Sequence, residues 1–254
     1  MQIITGNKFK KICDYILDEK GFNKTEVTNE IPIYFVKTDY LHSFFTTYKP
    51  NHKYKIITHN SDYPIDIKFM NILEDVNLVY WFGQNINFEH KKLKSIPIGI
   101  ANEMWDHGNE EVLLKIINQD NKKSKIIHCS FDINTNRYER TQCVNSMNRN
   151  NLVMNQREKF EDYLTSLSNS FFTLSPNGNG VDCHKLWESL YLKTVPVVTK
   201  SINIDFYRHL PIYVIDSWSH FNINDLTEDL YYDIIKKHNI EKISLDYFLN
   251  KIIK

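Results

Sequence analysis

Two kinds of chemistry are offered by residue type and spacing. The first lies in Ser175-Pro-Asn-Gly-Asn-Gly180 and the run behind it. Gly178 and Gly180 permit tight or left-handed backbone angles. The amides from 178 to 182, and those of a helix starting there, can hold an anion. Lys185 and Arg140 could add cationic contacts, Arg being the better fork for a phosphate. The second chemistry is proton transfer. His59 and Asp62 follow one strand-like run, Asp106 and His107 another, in the loop position where α/β domains place ligand contacts. Each has a plainer alternative: a simple turn at 176–180, an Asx turn before Pro64 for Asp62, a solvated ion pair with Glu139 or Glu158 for Arg140.

These residues need elements to position them. Leu186, Trp187, Leu190 and Tyr191 fall at i, i+1, i+4 and i+5, one apolar helical face on which Trp187 reads as core. Apolar runs at 171–174 and 195–198 bracket the turn and the helix, so the stretch predicts a βαβ unit. Upstream, a helix is expected from Asn7 with Phe9, Ile12, Cys13, Ile16 and Leu17 on one face. Strands are expected at 31–36, 54–58, 76–81 and 93–98, a short helix at 41–47 and another at 110–117. The segment 118–124 has no apolar residue and is the candidate linker. Behind it the pattern predicts a strand at 125–131, helices at 137–147 and 158–167, the βαβ unit, a strand at 211–215, and helices at 225–238 and 245–252. Strand and helix alternate twice, which suits two successive parallel-sheet domains.

Composition narrows the classes. The formal net charge of +0 favours neither nucleic acid nor an anionic membrane. The four cysteines show no Cys-x-x-Cys spacing, so neither zinc nor a disulfide framework is expected. The N-terminal residues lack a signal-peptide pattern and no apolar run is long enough to span a bilayer, so a soluble, cytoplasmic protein with free thiols is expected. No Asp-x-Asp carboxylate pair occurs.

The stretch 171–198 resembles the signature of the exostosin-like glycosyltransferases. There a strand ends in Ser/Ala-Pro-Arg-Gly-x-Gly, followed by Asp-x-His/Tyr-Arg-x-Trp-Glu-Ala-Leu and a Gly-x-Ile/Val-Pro-Val-Val strand. The match runs through Pro176, Gly178, Gly180, Asp182, His184, Trp187, Glu188, Leu190 and Pro196, and departs at Asn177 (Arg), Lys185 (Arg) and Lys193 (Gly). His59–Asp62, residues 96–109, the Thr-Asn-x-x-x-Arg block at Thr135, Asn136 and Arg140, and 210–218 are similar to further family blocks.

The resemblance implies an α/β fold of two small Rossmann-like domains facing across a cleft, a compact GT-B architecture. Residues 1–117 would form the acceptor side and 125–254 the nucleotide-sugar side. It implies inverting, metal-independent transfer of a hexose or pentose from a UDP- or GDP-linked donor to a glycan hydroxyl, with no other cofactor. Thr135, Asn136, Arg140, Ser175, Gly178, Asn179, Gly180, Asp182, His184, Lys185 and Glu188 would serve the donor. Glu188 would accept from the ribose, unless it only pairs with Lys185 at i, i+3. Asp62 or His59, or else Asp106 or His107, would be the base, and Trp105 could offer a sugar a stacking face. The alternatives are a fucosyltransferase-like GT-B enzyme and a catalytically silent nucleotide- or glycan-binding module.

Overall fold

The computed structural model describes residues 2–238 and 240–253. It is mixed α/β with a six-stranded and a four-stranded sheet, the two Rossmann-like units expected. One compact unit comprises Gln2–Ile98 with the segment from Ser244; the other is Gly99–Ile243.

In the first unit, α1 (Gly6–Lys10) starts at a Thr5 cap and is followed by β1 (Tyr15–Asp18), β2 (Gly21–Lys24) and β3 (Ile33–Lys37). Next come α2 (Leu41–Ser43), which runs into a π-helical turn, and β4 (Tyr54–His59), α3 (Met70–Leu73), β5 (Leu78–Gly83) and β6 (Leu93–Ser95). The strand order is β2-β1-β3-β4-β5-β6, parallel except for the β1–β2 hairpin. The helix expected to carry Ile16 and Leu17 therefore stops at Lys10, and both residues lie in β1 opposite Phe35 and Val36. Asp14 intervenes: its carboxylate accepts the main-chain N–H groups of Asn29 and Ile33, which ties the chain to the sheet. Gly21, at φ 89, closes the hairpin in a conformation other residues resist. All of β4 is buried, as an interior parallel strand must be. Lys55 within it donates to the carbonyls of Ile252 and Ile253, and so caps the C-terminal helix Leu245–Ile253.

The second unit contains α4 (Glu110–Ile117), β7 (Lys125–His128), α5 (Arg137–Arg149), α6 (Phe160–Ser168), β8 (Ser170–Leu174), α7 (His184–Tyr191), β9 (Val195–Thr199), α8 (Ile202–Asp205), β10 (Tyr213–Ile215) and α9 (Glu228–Lys237). The sheet order is β10-β9-β8-β7, parallel throughout. Phe172, Leu174, Val195, Val197 and Trp218 centre its core.

The expected linker is docked. Lys123 donates to the Leu192 carbonyl and the Thr194 hydroxyl, Asn121 to the Ile116 carbonyl, and Ser124 N–H to the Asn169 carbonyl. Ahead of it, α4 packs on α6, with Lys115 and Glu161 paired at 2.6 Å. The compact units accordingly divide after Ile98 and after Ile243, not within 118–124. Residues 99–117 thus join the second unit, and the last helix joins the first. All four cysteines are free thiols. No helix among the described residues is long and apolar enough to cross a membrane.

Candidate functional site

The loop 175–183 leaves the C-terminal end of β8, the edge of a parallel sheet where α/β folds bind ligands. It is held from α5. Arg140, 8% exposed, donates Nε to the Asn177 carbonyl at 2.9 Å and Nη1 to the Asp132 carbonyl at 2.5 Å. Asn136 donates to the Gly178 carbonyl while its Oδ1 caps α5. The Thr-Asn-x-x-x-Arg block and the glycine turn are thus one physical assembly. Arg140 pairs with neither alternative carboxylate: Glu139 Oε1 instead accepts from Asn177 N–H, Thr199 and Trp218, and Glu158 accepts from Ser166. Glu139 is a loop-holding residue with no signal in the sequence. Thr135 is exposed and bonds only locally, to the Asp132 carbonyl.

Neither Gly178 nor Gly180 has a positive φ, so the turn does not use the left-handed angles that its glycines permit. Gly178 lies close to the clamp: a Cβ would sit 3.3 Å from Arg140 Nη2, a tight contact. The left-handed residue is Lys193, at φ 54, the position where the resembled family carries Gly. Ser175 is buried with its hydroxyl 3.4 Å from Cys183 Sγ, whereas Asn179 is exposed. Cys183, the N-cap of α7, gives no side-chain cap bond, and its carbonyl accepts Leu186 N–H at 3.1 Å.

Asp182, in the loop, and Trp187, on α7, are structural partners: the indole Nε1 donates to Asp182 Oδ1 at 2.8 Å, and the ring is fully buried. Glu188, 4% exposed, accepts from Tyr163 Oη of α6 at 2.8 Å. Burial pushes its carboxyl up to about 7, partly opposed by that bond and by Lys185. Lys185 Nζ turns to the Ser130 carbonyl, so the i, i+3 pair with Glu188 is not the contact made. Burial draws its ammonium down to about 8. Beside Tyr163 lies His128, which burial holds neutral with a value near about 3 and whose Nε2 has no hydrogen-bond partner.

The proton-transfer candidates are placed differently. His59, 1% exposed, gives Nε2 to the Pro97 carbonyl and receives Asn60 N–H at Nδ1, so both ring nitrogens are engaged. Asn60 also meets Asn7 and Gln84, a polar cluster at the ends of β4 and β5 that sequence reasoning missed. Asp62 is exposed beyond it. Asp106 and His107 are exposed in the second unit, and His107 lies 6.3 Å, ring to ring, from His184 at the start of α7. His184 Nδ1 is 2.8 Å from the Gly99 carbonyl, which anchors this segment to the signature helix. No group of three His, Cys, Asp or Glu suited to a metal ion occurs among the described residues.

A family model, the RXYLT1 C-terminal domain, matches residues 113–206, less than half of the chain but all of the loop, its α5 clamp and α7. The match supports a glycosyltransferase family without singling out a member. A search of curated proteins finds no significant match.

Proposed function

We propose that this chain is an inverting glycosyltransferase of GT-B type, moving a hexose or pentose from a UDP- or GDP-linked donor to a glycan hydroxyl without a resident metal. The observation that carries the reading is the loop held by Arg140 and Asn136 directly ahead of the α7 N-terminus, at the C-terminal end of β8. As the bond to the anomeric carbon breaks, charge grows on the departing diphosphate. The α7 amides and dipole, with Lys185 behind them, are fixed in advance to meet that charge. Arg140 shapes the loop through the carbonyls it holds, and Glu188 would accept from the ribose. A general base must take the acceptor proton. That role is assigned to Asp62, with Asp106 or His107 as the rivals; His59 has both ring nitrogens engaged.

The test is binding and hydrolysis across UDP- and GDP-sugars, with and without EDTA. One nucleobase series should bind and turn over, unaffected by EDTA, and Asp62→Asn should lower turnover about 10²–10⁴-fold with donor affinity kept. Absence of binding to every nucleoside diphosphate sinks the reading. Rescue of EDTA-treated protein by manganese removes its metal-independent part, and a large loss in Asp106→Asn alone moves the base.

A further inference from the structure

Trp105 stands apart from the other tryptophans. Trp81, Trp187 and Trp218 are at most 1% exposed, whereas Trp105 is 58% exposed and the neighbouring Met104 70%. One exposed aromatic is ordinary on a protein surface. The way this one is held is not. Trp105 N–H donates to the Asn102 carbonyl at 3.0 Å, and Gly108 N–H closes back onto the Trp105 carbonyl at 2.7 Å. Gly108 packs so closely that a Cβ would lie 2.1 Å from the Asn102 oxygen, so only glycine closes the loop this way. Asn109 then caps α4 directly behind it. The result is a short, tied tip that carries Glu103, Met104, Trp105, Asp106 and His107 outward.

Within the tip, the His107 ring lies beside the indole, 6.1 Å between centroids with 28° between planes. His107 in turn reaches His184, the first residue of α7, at 6.3 Å. Among the described residues, the Asp106 carboxylate makes no hydrogen bond or ion pair. An exposed indole with an uncommitted carboxylate and an imidazole beside it suits one ligand chemistry. The apolar C–H face of a pyranose covers an aromatic ring, and its equatorial hydroxyls donate to carboxylate and imidazole at the rim.

We propose that the tip 103–107 is a carbohydrate subsite, in which Trp105 stacks a pyranose ring of the glycan acceptor one imidazole away from the signature helix. This rests on the glycosyltransferase reading and gives it an acceptor position in the same unit as the proposed donor loop.

Because Trp105 is the exposed member of the four tryptophans, acrylamide quenching of intrinsic fluorescence reports on it selectively. Lactose, cellobiose and xylobiose are the probes. At least one should shield the wild-type protein from quenching, and Trp105→Ala should abolish both the quenchable emission and the sugar effect. With any acceptor that supports transfer, Trp105→Ala should raise the acceptor KM roughly two- to tenfold, as loss of an aromatic stack does. The affinity for UDP or GDP should not move, and Trp105→Tyr, which keeps a ring, should restore most of the KM. Shielding by none of the three, shielding that persists in Trp105→Ala, or an unchanged acceptor KM in that variant overturns the proposal. If shielding fails while UDP or GDP still binds, the subsite alone falls; if neither nucleotide binds, the glycosyltransferase reading falls with it.

Discussion

Replacing Glu188 by Gln should make the protein more stable at pH 8 and leave it nearly unchanged at pH 4.5. The magnitude follows from the site. The side chain is 4% exposed, so solvent screens little, and burial raises its carboxyl from 4.5 to about 7. The folded state then holds a proton between those values that the unfolded chain has released, and stability falls as pH rises through this window. The gap corresponds to about 3 kcal/mol of native-state cost once the group is ionised. Glutamine keeps the shape and can still accept from Tyr163 Oη, but carries no charge. The wild-type profile alone would hide this. His128, lowered from 6.5 to about 3, works in the opposite sense: its contribution is present above 6.5 and lost as pH falls toward 3. The two slopes nearly cancel between 4.5 and 6.5. The decisive quantity is therefore the difference between variant and wild type in unfolding free energy from urea titrations, measured from pH 4.5 to 8. It should grow from near zero to about 3 kcal/mol, levelling above 7. Parallel curves would refute the reasoning, since Glu188 would then ionise in the folded protein as it does in water. If the same variant also loses nucleotide affinity, the stability cost is one retained for binding.

Arg140→Met should destabilise the fold by about 1–3 kcal/mol, because it removes two charge-assisted bonds while also relieving a buried guanidinium of its desolvation. Its signature is local: amide hydrogen exchange should accelerate across 177–183, and unchanged protection there would show that the loop is held by something else. Lys193→Gly should stabilise by about 0.5–1 kcal/mol, since the left-handed residue is exposed and its side chain contributes little packing. That should raise Tm by about 2 °C, and a fall in Tm would mean that the turn after α7 does not carry the strain its φ implies.

What could be read from the chain and what could not divide along a physical line. The βαβ unit from β8 to β9 was legible because glycine punctuation, a 3.6-residue apolar face and two short apolar runs all agree on one structure. The helix at 110–117 was legible to the residue, and the structure starts it at an Asn109 cap. Ile12, Cys13, Ile16 and Leu17 misled because their spacing fits a helix, while the partners that make Ile16 and Leu17 a strand, Phe35 and Val36, lie about twenty residues away. Lys123 read as linker because a lysine in a polar run looks solvated; its acceptors, at Leu192 and Thr194, belong to the far side of α7.

The site shows the same division more sharply. Arg140 and the glycine turn were both named, yet not as partners, because Arg140 bonds to main-chain carbonyls, which every residue has and no sequence pattern marks. Tyr163 went unnamed for the converse reason: a tyrosine on an amphipathic helix is ordinary until the fold brings it to Glu188. Lys193 is the instructive case. As a departure from glycine it looked like drift in the motif. In the structure the backbone keeps the glycine conformation and the lysine adopts it, φ 54. The turn that joins α7 to β9 is thus imposed by the packing of both elements, strongly enough to hold a residue that resists it. A substitution that leaves the backbone path intact is weak evidence against the activity the motif supports, and Asn177, which meets Arg140 through its carbonyl alone, can be read in the same way.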